Sequence, residues 1–203
     1  MKYVKILGLA ALAAMAVMAF VGAGTASATE LYSGATTLKA GTEIQATLSG
    51  TALLQTTDGI ELDTCTGGEV KGKTTNTGSS TETVKGNIEA LTWTNCTEPT
   101  STIAKGGLEI HWTSGLNGTV TSIANPVTGE VSEVTVNTTI FGSCIFTIAT
   151  GSIIGTLTGS TTTNATFDIN AIATRKSGLC PNSAKWNGTY KVTKPLPLHV
   201  TTS

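Results

Sequence analysis

The chain has 203 residues, of which 39% are hydrophobic, 12% charged and 5% aromatic, with a formal charge of −1. Average soluble proteins carry about 25% charged residues, and here 41 threonines take much of that place. A single arginine, Arg175, and no Lys/Arg cluster exclude nucleic acid as a partner, the scarcity of Glu, Lys and Leu at 3.6 spacing excludes a helical bundle, and regularly placed Val, Ile and Leu exclude disorder.

Residues 1–28 read as a secretory signal peptide. Lys2 and Lys5 form a positive start, Ile6 to Val21 is an apolar run, and Ala26-Ser27-Ala28 supplies the small residues that cleavage requires, which places the cut between Ala28 and Thr29. The competing reading is a retained anchor, but the small-residue site follows the apolar run and no stop-transfer charge does. No second long apolar segment follows, so no membrane span is expected after signal removal. The expected product is 29–203, a secreted or envelope-associated domain with ten basic and thirteen acidic residues and a net charge of −3.

From residue 44 onward, period-two alternation predicts strands. Ile44, Ala46 and Leu48 share one phase, with Gln45 and Thr47 between them. A first hairpin strand, 69–74, and a second, 83–90, flank the turn-rich 76–80. Folding about Ser80 sets residue i opposite 160 − i or 161 − i, and the switch of apolar phase from Val84, Ile88 and Ala90 to Leu91 and Trp93 predicts a bulge near Ala90-Leu91. Further strands are read at Leu108 to Trp112, Val131 to Val136, Phe167 to Ala173 and Tyr190 to Val192, separated by turn signals such as Asn117-Gly118, Asn125-Pro126 and Ser177-Gly178. The expected fold is all-β: a single antiparallel β-sandwich or barrel-like domain of nine to eleven short strands. Threonine suits its polar faces, since the β-branched carbon favours the pleat while the hydroxyl meets water.

Four cysteines, an even number in an exported chain, read as disulfides. Their gaps of 31, 48 and 36 residues do not match zinc-ligand spacings, and no cofactor is implied. The hairpin about Ser80 carries Cys65 to Cys96, which leaves Cys144 for Cys180. Thr-x-Thr triplets at Thr64, Thr75, Thr81, Thr92, Thr156 and Thr161 lack the fixed period of an ice-binding solenoid.

The runs Leu62-Asp63-Thr64-Cys65-Thr66-Gly67-Gly68, Leu91-Thr92-Trp93-Thr94-Asn95-Cys96 and Trp186-Asn187-Gly188-Thr189-Tyr190-Lys191-Val192-Thr193, behind such a signal peptide, resemble a group of uncharacterised small exported Thr/Gly-rich proteins of soil actinobacteria. The resemblance implies a bacterial exported origin and brings no activity or site. Members of the group often carry extra cysteines near the mature N-terminus, where this chain has Leu31-Tyr32-Ser33.

Groups that could carry chemistry are few. His111 and His199 are isolated, lie near no nucleophile elbow, and read as solvent-facing strand residues. Glycoside hydrolysis needs two carboxylates, and nothing distinguishes a pair among Asp58, Glu61, Asp63, Glu69, Glu82, Glu89, Glu98, Glu109, Glu130, Glu133 and Asp168. Asp58, Glu61 and Asp63 could approach a calcium ion, although the ordered Asp-x-Asp-x-Asp-Gly loop is absent. Trp93 and Trp112 fall in core phase, whereas Trp186, between Lys185 and Asn187, is the candidate for an exposed ligand platform. The expected role is a non-catalytic structural or adhesive domain at the cell envelope. A carbohydrate-binding module that takes polysaccharide as partner is the first alternative, and a glycosidase-like hydrolase the second.

Overall fold

The computed structural model describes residues 29–202; the signal segment 1–28 and its cleavage position therefore lie outside the described residues, apart from Thr29. All regular structure among the described residues is β. The chain runs β1 (Glu30–Ser33), β2 (Thr36–Thr37), β3 (Glu43–Leu48), β4 (Ala52–Gln55), β5 (Glu61–Thr74), β6 (Val84–Cys96), β7 (Ser101–Lys105), β8 (Gly107–Ser114), β9 (Asn117–Ile123), β10 (Glu133–Thr138), β11 (Gly142–Thr147), β12 (Ile153–Thr158), β13 (Thr166–Ser177), β14 (Ser183–Lys194) and β15 (His199–Thr201). These fifteen segments exceed the nine to eleven expected because several long strands are broken midway.

β3 and β4 form one broken strand, because both lie between β14 and β5 and both are antiparallel to each. β7 and β8 likewise continue one another past Gly106, whose φ is +114° and where any side chain would run into the Ser132 backbone. β9 and β10 are joined by the outward loop 124–132, and β11 and β12 by the short segment 148–152. Counted in this way the large sheet has eight antiparallel staves in simple up-and-down order: β3/β4, β5, β6, β7/β8, β9/β10, β11/β12, β13 and β14. The last pairs back onto the first, with Tyr190 opposite Leu48 and Trp186 opposite Leu54. The sheet therefore closes on itself as a barrel, which leaves no long free edge.

The hairpin of β5 and β6 turns about Ser80 as expected, and the two alternative registers both occur in it. Cys65 to Lys71 pair at 161 − i, and Gly72 to Thr74 at 160 − i, with the change at a bulge between Lys71 and Gly72 opposite Ala90 and Ile88. Between β6 and β7 the join is looser: the Ile88 N–H donates to Gly106 O at 3.1 Å and the Thr102 hydroxyl to Leu91 O at 2.6 Å.

One end of the barrel is roofed by a three-stranded sheet, β15-β1-β2, in which Leu31 faces Val200. Leu31, Leu38, Leu198 and Val200 point down and are buried with the upper core. The roof is tied to the staves by Val200 N–H to Leu116 O (3.0 Å), Ser160 N–H to Leu198 O (2.9 Å) and Trp112 N–H to the Thr29 hydroxyl (3.0 Å). The opposite end is covalently closed. Cys65 and Cys96 face each other across β5 and β6 with Cα atoms 3.9 Å apart, and Cys144 on β11 pairs with Cys180 in the turn before β14 at 6.0 Å.

Inward residues form an upper core around Val84, Val120, Leu157 and Val192 and a lower core around Leu54, Leu91, Val136 and Phe146. An aromatic cluster joins them: the Trp93 indole donates to the Tyr190 hydroxyl at 3.1 Å, and Trp186 meets both rings edge-on, with centroids 5.6 and 5.9 Å away. Such edge-to-face pairs add about 0.5–1.5 kcal/mol to simple burial.

Candidate functional site

The stapled end carries both disulfides and a buried carboxylate. Inward alternation on β5 places Asp63 in phase with Cys65, so a carboxylate lies buried beside the first disulfide. The chain leaving Cys96 folds back over it. Asp63 Oδ1 accepts from the Thr97 hydroxyl (2.8 Å) and the Glu98 N–H (3.2 Å), and Oδ2 accepts from the Thr100 hydroxyl (2.6 Å). Asp63 lies with the Cys65 and Cys96 sulfurs in a cluster no wider than 4.8 Å, but sulfurs joined in a disulfide offer no thiolate to a cation. Glu61 is turned outward, accepting from the Thr64 hydroxyl, and Asp58 lies in the exposed turn before it. The three acids considered for calcium therefore do not converge, because Asp63 alone points inward. Asp63 organises a loop, and sequence reasoning missed that role; its phase with Cys65 and the two threonines after Cys96 were the available signal.

The remaining carboxylates are distributed over the outer wall. Glu133 is nearly buried between Lys176 (2.7 Å) and Lys105 (3.5 Å), and Lys105 also holds Glu130 at 3.0 Å. The Lys176 hydrogen bond holds the Glu133 carboxyl below the usual glutamate range against the opposing effect of burial, and the Lys105 hydrogen bond does the same to Glu130. Glu43 is lowered chiefly by the Gln45 amide and then by Lys194. Glu43, Glu130 and Glu133 are thus all held below the ordinary glutamate range, whereas a general acid needs a raised pKa. Asp168 accepts from Thr189 at 2.6 Å, and Glu98 from Thr139 at 2.6 Å.

His111 lies on the outer face as expected, with Nε2 3.2 Å from the Thr121 hydroxyl and 3.4 Å from Glu109. His199 does not face solvent. It is buried in the roof, its ring stacked on Tyr32 at 5.6 Å with Nδ1 unpartnered, and burial pushes its pKa below the ordinary value. The expectation fails because both faces of β15 are covered.

Trp186 also requires correction: it is no exposed platform. Lys185 and Asn187 point outward, and period two turns the intervening indole into the barrel, where it packs against both cores. Trp93 is buried, and Trp112 packs against the upper core while its indole N–H donates to Gly115 O at 3.0 Å. Tyr190 is wholly interior, and burial pushes its pKa up to about 12 against the opposing pull of the Trp93 and Trp186 indoles.

No helix among the described residues is long and apolar enough to cross a membrane. Two cysteine pairs at bonding distance are more typical of extracellular than of cytosolic proteins. No family model, curated protein or solved structure matches the chain.

Proposed function

We propose that this chain is an exported, non-catalytic barrel that serves as a structural or adhesive element at the cell envelope. The observation that carries this reading is the disposition of its ionisable groups. Glu43, Glu130 and Glu133 are held in the charged form by lysines or amides on the outer wall, while the interior is lined by apolar and aromatic side chains. A wall rich in threonine hydroxyls and short ion pairs suits polar, low-charge contacts with envelope polymers. The resemblance to exported actinobacterial proteins agrees with this setting.

Co-sedimentation of the purified protein with envelopes from a strain deleted for it tests the proposal. Saturable recovery in the pellet is the expected result, and turnover of any glycan or ester in a broad hydrolase panel would overturn it. The carbohydrate-module alternative rested on an outward Trp186 ring. With that ring inside, polysaccharide titrations should leave tryptophan fluorescence unchanged.

A further inference from the structure

The upper barrel is hollow. An apolar space of about 100 Å³ lies beneath the roof residues Leu31 and Leu198 and is ringed by Ala46, Val84, Val120 and Leu157. Two smaller hollows, of about 30 and 20 Å³, follow it down the axis past Trp186. Eight staves make an interior that side chains can just fill, or that can hold one small ligand. Here three neighbouring inward positions carry little or nothing: Gly72 on β5, Gly86 on β6, and Ala46 on β3, which pairs with Val70 one inward step along β5.

The two glycines cannot be regarded as casually small. A Cβ on Gly72 would strike the Asn87 carbonyl, and one on Gly86 would come within 2.9 Å of the Lys73 carbonyl. The β5–β6 register shifts between Lys71 and Gly72, and the two backbones approach too closely there for either position to take a side chain without moving. Nor can the wall collapse inward, because at this level each neighbouring pair of the eight staves is joined by a ladder and the circumference is fixed. Ladders also join the β12–β13 and β13–β14 pairs. Thr74, a polar residue at the edge of the space, directs its hydroxyl to Lys39 O (2.6 Å) and accepts from the Thr42 N–H (3.0 Å). Water entering the hollow would need two to four polar partners. A non-polar guest needs none.

We infer that the upper hollow is a binding site for one small, uncharged, non-polar molecule, with an upper size near that of benzene. An engineered apolar cavity of roughly 150 Å³ stays dry and takes benzene or xenon, which sets the scale. The site is independent of where the protein resides. The roof strands, which supply Leu31 and Leu198, are the part of the wall that can open without breaking a stave.

The test uses the full chain expressed with its own leader and purified with both disulfides formed. Crystals pressurised with xenon should show one peak between Ala46, Val84 and Leu157, and benzene should raise the unfolding temperature in a saturable manner. Ala46→Leu, which grows into the hollow, should remove the xenon peak and weaken benzene at least tenfold. If that variant does not fold, Leu157→Ala provides the converse: it should extend the accepted guests to naphthalene. Absence of xenon from the hollow overturns the inference, as does benzene affinity unchanged in Ala46→Leu, or a Leu157→Ala variant with the same guest range.

Discussion

Replacing Asp63 should destabilise the stapled end more than any surface carboxylate substitution. Asp63→Ala removes the acceptor of three hydrogen bonds, from two hydroxyls and one N–H. A hydrogen bond to a charged group contributes about 1.5–3 kcal/mol. The Thr97 and Thr100 hydroxyls can turn toward solvent, whereas the Glu98 N–H remains without its partner, so the net loss should be about 3 kcal/mol rather than the sum of three full bonds. Asp63→Asn keeps Oδ1 for Thr97 and Glu98 and presents an amide to Thr100 Oγ1, which can accept; its cost should be about 1 kcal/mol. Urea unfolding at pH 7, followed by tryptophan fluorescence with disulfides intact, measures both, and the slope with denaturant should not change. A double cycle with Thr100→Val should give a coupling of at least about 0.5 kcal/mol. A loss below about 0.5 kcal/mol for Asp63→Ala, or no coupling to Thr100, would refute the assignment of this carboxylate as the organiser of the 97–100 loop.

Peptide mapping without reduction should recover Cys65 linked to Cys96 and Cys144 linked to Cys180. Since the bridges span 31 and 36 residues, replacing either pair by serine should cost about 3–4 kcal/mol in the chain-entropy account. His199 gives a pH signature: its folded pKa lies below the unfolded value of 6.5, so the unfolded chain takes up the proton first. Its contribution is therefore complete above about pH 6.5 and lost as pH falls below that, and a His199→Phe variant should lack this part of the decline in unfolding temperature between pH 7 and 5. A variant whose profile matches the parent's across that interval would exclude His199 as the sensor.

The central hairpin was legible because two signals coincide in it. The turn at Ser80 sets the register to within one residue and the phase change near Ala90 predicts a bulge; the bulge is present, and each of the two alternative registers holds on one side of it. Alternation also contained the answer for Trp186: extending the phase of Tyr190 and Val192 back through Gly188 turns its ring inward, but charged and amide neighbours made the stretch look uniformly polar. His199 lay beyond that method. Periodicity distinguishes faces only where one face is wet, and in the roof Leu198, His199 and Val200 are consecutive buried residues. Closure was equally illegible, since alternation reports which side of a strand is covered and never which strand lies beside it. Sandwich and barrel give the same pattern, and only the pairing of β14 with β3 and β4 distinguishes them. The excess of segments has a local cause as well, because breaks at 49–51 and at Gly106 split single staves without changing their neighbours.

The two ends of the barrel close by different means, which predicts where the molecule opens. At the stapled end both disulfides and the Asp63 loop hold staves together, and release there requires global unfolding or reduction. At the roof the closure is three strands of four, two and three residues, held by burial of Leu31, Leu38, Leu198 and Val200 and by a few backbone hydrogen bonds. Short elements with few ladder bonds open with free energies well below that of global unfolding. Hydrogen exchange should therefore resolve two classes. The amides of Leu38 and Val200, bonded to Leu31 O and Leu116 O at 2.8 and 3.0 Å, should exchange through local opening that is insensitive to low denaturant. Those in the ladder of β13 and β14, around Ile169 and Tyr190, should exchange only with the whole barrel and accelerate steeply as urea is added. Benzene bound under the roof should slow both classes, since roof opening and global unfolding alike release the guest. Exchange of the Val200 amide at the same rate and urea dependence as the β13–β14 ladder would show instead that roof and staves form one cooperative unit, and entry into the hollow would then have to follow rare global opening.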